Sequence, residues 1–68
     1  MNEAEIRMAA SMYSLVAEMN ALNARIEGMK VANMFEVANT GLPMYNEQAF
    51  VTLHNELYEI SKKLESEI

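Results

Sequence analysis

The chain has 68 residues, of which 51% are hydrophobic, and it carries a formal net charge of -5 with no cysteine. A lone chain of this size buries only about 60% of its unfolded surface, which favours self-association, and neither a disulfide framework nor a thiolate metal site can reinforce so small a core. Ten acidic residues, all Glu, stand against five Lys and Arg, a balance that argues against general affinity for nucleic acid or anionic membrane while leaving room for local basic pockets.

No charged segment leads into an apolar run of secretory type, and no apolar run approaches about 18 residues, so neither a signal peptide nor a membrane span is expected. The cytoplasm is the expected compartment. There is no low-complexity tract and no internal repeat.

Asn2 reads as an N-cap with Glu5 three residues on, a capping-box arrangement, and Glu3 and Glu5 suit the positive end of a helix dipole. From there a helix is predicted over about residues 3–40. Met8, Met12, Leu15, Met19, Leu22, Ile26 and Met29 follow at alternating spacings of four and three, a heptad seam of seven successive core positions that predicts an interchain contact. Asn33 is next in register. It is either a polar residue that specifies pairing register or the place where the seam runs out.

A second stripe lies on the opposite side of this helix: Ile6, Ala10, Tyr13, Ala17, Ala21, Ala24, Gly28, Val31, Phe35 and Ala38. Its small middle section suits close approach of a partner helix, which would account for Gly28; a local kink is the competing account. Two polar flanks separate the stripes. One carries Arg7, Ser11, Ser14, Glu18 and Arg25, the other Asn20, Asn23, Glu27 and Lys30. A helix apolar on two sides needs partners on both.

Thr40-Gly41-Leu42-Pro43 ends the pattern, with a glycine able to take the left-handed C' conformation and a proline that cannot continue the helix. After a turn at 41–45, a second helix is predicted over about 46–67, capped by Asn46, with Tyr45 and Phe50 placed for a hydrophobic staple. Phe50, Leu53, Leu57, Ile60 and Leu64 form its apolar stripe. Lys62 and Lys63 lie toward its C-terminal end, where positive charge suits the dipole, although Glu65 and Glu67 oppose it. The predicted fold is all-α: a single domain, 1–68, in which a long helix and a shorter antiparallel helix form an αα-hairpin that assembles as a helical-bundle oligomer.

At 1.5 Å per residue the first helix would span about 57 Å and the second about 32 Å, so the second cannot cover the first. Folding back from the turn, Phe50 and Leu53 are expected to reach Phe35 and Ala38, Leu57 to lie near Gly28 and Val31, and Leu64 near Ala21. Residues 2–16 are left as an arm whose apolar side chains form too large a patch for water. Two hairpins are therefore expected to pair through the Met/Leu seam and the arm, as a dimer or higher even oligomer, with methionines that adapt their packing and specify partner number poorly.

The chain has no HExxH, Walker or GxGxxG motif and no Cys/His cluster of metal spacing. His54 reads as a surface or boundary imidazole, and Glu56 with Glu59 as a solvated acidic pair. A Glu-x-x-His di-metal spacing is absent, since Val51 stands three residues before His54. No enzyme activity, metal or cofactor is expected.

Two polar groupings are candidates for ligand binding. Asn20, Asn23 and Lys30, extended by Asn33 and joined by Arg25 from a second chain, would present amides and cations to one anionic ligand at an interchain surface. Tyr45 at the turn could stack on a ring, although capping and the staple already account for Tyr45 and Asn46.

Glu27-Gly28-Met29-Lys30, Asn33, Gly41, Tyr45, Glu47, Phe50, Leu53 and Leu57 together form a pattern that resembles small, uncharacterised helical-hairpin proteins of tailed bacteriophages and prophages, over about residues 20–60. The resemblance carries no assigned functional residue. It implies a stoichiometric accessory in the host cytoplasm, acting in anti-defence by occupying a host protein or by sequestering a small signal, as helical oligomers that trap cyclic nucleotides do. The expected function is thus non-catalytic capture of a host factor or a nucleotide-like anion. The alternative is a purely structural coiled-coil subunit without a ligand.

Overall fold

A computed structural model describes residues 1–67. Two helices and no strand occur among them: α1, Glu3–Thr40, and α2, Glu47–Glu67. The all-helical hairpin expected from the two apolar patterns is what forms. The Cα atoms extend over 56 × 17 × 10 Å, so the molecule is little longer or thicker than α1 with one helix laid beside it.

The ends follow from local chemistry. At the start of α1 the Asn2 side chain accepts from the Glu5 amide at 2.8 Å, removing one of the unpaired donors of the first turn. At its end Gly41 takes φ 82°, a left-handed conformation that an L side chain resists, and its amide donates to the Val37 carbonyl at 2.9 Å. The Thr40 hydroxyl donates to the Glu36 carbonyl at 2.9 Å and accepts from the Leu42 amide at 3.3 Å, which holds the exit of the helix. Asn46 caps α2, its side-chain oxygen accepting from the Ala49 amide at 3.0 Å.

The packing differs from expectation. Ile26, Met29, Leu53 and Ile60 are the buried core, the first three in one cluster with Leu22, Ala49, Phe50 and Leu57 packed against it. Thus α2 lies on the Met/Leu seam of α1, not on the Ala/Gly stripe. Val31 and Phe35, expected beneath α2, are 65% and 67% exposed, and a Cβ placed on Gly28 would meet nothing within 4 Å. The physical reason is burial. Phe50, Leu53 and Leu57 remove more apolar surface from water against Leu22, Ile26 and Met29 than against alanines and a glycine, at about 25 cal/mol per Å². The C-terminal part of the seam assigned to an interchain contact is therefore occupied within the chain.

Beyond the end of α2 the N-terminal arm of α1 stands alone. Ile6, Met8 and Tyr13 are exposed there. At the turn end Met34, Leu42 and Met44 are exposed as well. No helix of the described residues is long and apolar enough to cross a membrane.

Candidate functional site

Asn33 is the residue whose surroundings depart most from its sequence context. Its side-chain NH2 donates to the Tyr45 carbonyl at 2.9 Å, and its side-chain oxygen accepts from the Tyr45 amide at 2.7 Å. Both ends of the amide are thereby used on one backbone unit twelve residues away, pairing a donor and an acceptor that the turn leaves without a helical partner. The seam places Asn33 on the α2 side of α1, one turn beyond Met29, where the chain returns. Asn33 is thus a clamp on the turn, and Tyr45 takes part through its backbone.

The other candidates spread over α1. Asn20 and Asn23 are exposed on one flank. Lys30 is on the same flank and donates to the Glu27 carboxylate at 2.9 Å, with both side chains more than half exposed. Arg25 is exposed on the other flank, and five residues along a helix carry it about 140° from Lys30 at about 100° per residue. One chain therefore does not bring Arg25 and Lys30 together.

A groove of about 720 Å³ runs beside the contact of the two helices, on the Arg25 side, and none of the candidates lines it. Leu22, Ala21 and Ile60 supply its apolar floor, while Glu18, Glu56, Glu59 and Lys63 stand on its walls. Three carboxylates against one ammonium give it the wrong sign for a nucleotide-like anion. The carboxylate lining was not legible as a group, because Glu18 and the Glu56–Glu59 pair meet only when α2 settles on the seam. Glu56 and Glu59 are exposed, as is His54. Among the described residues no three His, Cys, Asp or Glu side chains are grouped so as to hold a metal ion.

Aromatic contacts are few. Lys62 lies over the Tyr58 ring at 4.9 Å from its centroid, a contact on the solvent side of α2. Tyr13, with no such neighbour, is 78% exposed on the uncovered stripe of α1. Ile6, Val31 and Phe35 are exposed on the same stripe. No protein-family model, curated protein or solved structure matches the chain.

Proposed function

We propose that this chain is a non-catalytic, self-assembling helical binding protein that acts stoichiometrically, capturing a host factor or a small nucleotide-like anion at a surface between chains. The observation that carries the reading is the exposed apolar stripe of α1, which turns away from α2 and needs a partner to leave water. Exposed Asn20 borders that stripe, and exposed Asn23 and Lys30 continue the same flank toward α2, supplying amide donors and a cation. Enclosure of a ligand there requires a second chain, since the groove within one chain is lined by carboxylates.

Native mass spectrometry of the protein, alone and with a panel of nucleotides and cyclic nucleotides, tests the reading. The expected spectrum is an oligomer carrying added mass at fixed stoichiometry, with the added mass lost in Lys30→Glu at unchanged helix content. A scaffolding subunit is the second reading, favoured by Asn33, whose amide is spent on the turn. An oligomer that takes up no ligand and captures no host protein in a pull-down would establish that second reading.

A further inference from the structure

The uncovered stripe has an internal symmetry that names its partner. Ile6, Ala10, Tyr13 and Ala17 are spaced by four, three and four residues, and Ala24, Gly28, Val31 and Phe35 by the same intervals. These eight of the stripe's ten positions are therefore palindromic about the midpoint of Asn20 and Ala21, while Ala21 and Ala38 fall level with Asn20 and Glu3 of a second copy. A palindromic stripe is complementary to itself when a second copy is laid antiparallel across it, the arrangement of a two-fold interface.

In that register Tyr13 falls opposite Gly28 of the second copy, Val31 opposite Ala10, Ala17 opposite Ala24, and Ile6 opposite Phe35. Tyr13 is 78% exposed in the hairpin, and open space lies over Gly28. A ring set on a glycine fills both conditions, and it supplies a reason for a residue that costs about 1 kcal/mol in mid-helix against Ala. The helices come closest at Ala17 and Ala24 and part toward Ile6 and Phe35, as two crossing helices do. From residue 6 to residue 35 the stripe completes eight turns at about 3.6 residues each, so it runs straight along α1 without supercoiling.

Charge agrees with the same register. In an antiparallel pair each flank faces its own counterpart, which brings Arg25 within two residues, about 3 Å along the axis, of the level of Glu18 of the second copy, and Arg7 within the same distance of Glu36. Arg25, Glu18 and Glu36 make no ion pair among the described residues, while Arg7 pairs locally with Glu3. Such exposed pairs contribute little energy. Asn20, on the flank beside the stripe, lies next to the two-fold axis, level with Ala21 of the second copy.

We infer that two copies of this chain associate antiparallel through the outer face of α1, with Tyr13 of each seated on Gly28 of the other. The proposal rests on the self-assembly reading above and specifies its geometry. Because α2 occupies the opposite side of α1, the four helices lie in a row with the two α1 helices at the centre. A contact from Ile6 to Phe35 is about 44 Å long and about 10 Å wide, burying roughly 900 Å² in both partners together, at the lower edge of a specific interface. The register gathers Asn20 and Asn23 of both chains on one side of the axis. Each Lys30 stands about 10 Å along the helix from its own Asn23.

Because the chain has no cysteine, single-cysteine variants read the register directly. Asn20→Cys is expected to cross-link to itself on oxidation or with a short bis-maleimide. Val31→Cys alone is expected not to cross-link, and an equimolar mixture of Val31→Cys with Ala10→Cys should give the mixed dimer. Self-linking of Val31→Cys would show a parallel pair and overturn the proposal, as would an oligomer by light scattering that yields none of these products. A monomer by light scattering at the cross-linking concentration would overturn both this geometry and the self-assembly reading. Gly28→Leu, which meets open space in the hairpin, should preserve helix content and weaken association by tenfold or more on the order of magnitude of an overpacked contact. Unchanged association in that variant would also overturn the Tyr13 contact.

Discussion

Asn2, Gly41 and Asn46 each adopt the capping role that their sequence neighbours announce, since a cap depends only on groups within three or four residues. Asn33 shows where that legibility ends. Its partner is twelve residues away, and only the return of the chain brings the two together, so its place in the seam was open to two readings. In the structure it holds the turn, within one chain. If Asn33 is a clamp, Asn33→Ala should lower stability by about 1–2 kcal/mol, the net value of two exposed hydrogen bonds. Urea unfolding at a fixed protomer concentration measures it. An unchanged midpoint would mean that the Tyr45 bonds contribute nothing and that the Asn33 amide is available for a ligand.

Both helices were legible as elements, because α1 and α2 carry apolar residues at helical spacing and stop at glycine, proline and cap signals. Which face of α1 receives α2 was not. Periodicity places Ile26 and Val31 equally well on stripes, but it does not weigh their neighbours, and the choice turns on side-chain volume summed along the contact. Leu22, Ile26 and Met29 outweigh Ala24 and Gly28 in that sum. The C-terminal part of the seam expected between chains is occupied within the chain for the same reason: the best apolar face is taken first by the partner at highest effective concentration, the chain's own second helix. Substitution separates the two faces. Leu53 is 4% exposed, and Leu53→Ala should cost about 2–4 kcal/mol at every protein concentration. Phe35→Ala, on the outer face, should cost less than about 0.5 kcal/mol in dilute protein. Thermal unfolding over a dilution series distinguishes them, and an equal loss from Phe35→Ala at high dilution would return Phe35 to the core of the hairpin.

At the scale of the whole molecule the mismatch in helix length is the feature with most consequence. A 38-residue helix beside one of 21 residues leaves an arm that contributes nothing to the hairpin core yet carries Ile6, Met8 and Tyr13 into solvent. The arm's cost in exposed apolar surface is offset only if it has a partner, and the antiparallel pairing inferred above would cover Ile6 and Tyr13 with the turn-proximal half of a second α1. Deletion of residues 2–14 separates the two roles. The core of Ile26, Met29 and Leu53 is untouched by it, so far-UV circular dichroism should still report a helical hairpin with cooperative unfolding. Light scattering should report loss of the dimer, because Ile6, Ala10 and Tyr13 are gone from both copies and their counterparts Phe35, Val31 and Gly28 are left without contacts. A truncated chain that keeps the oligomeric state of the full one would place the interface elsewhere, with the exposed Met34, Leu42 and Met44 of the turn end as the remaining apolar surface that could carry it.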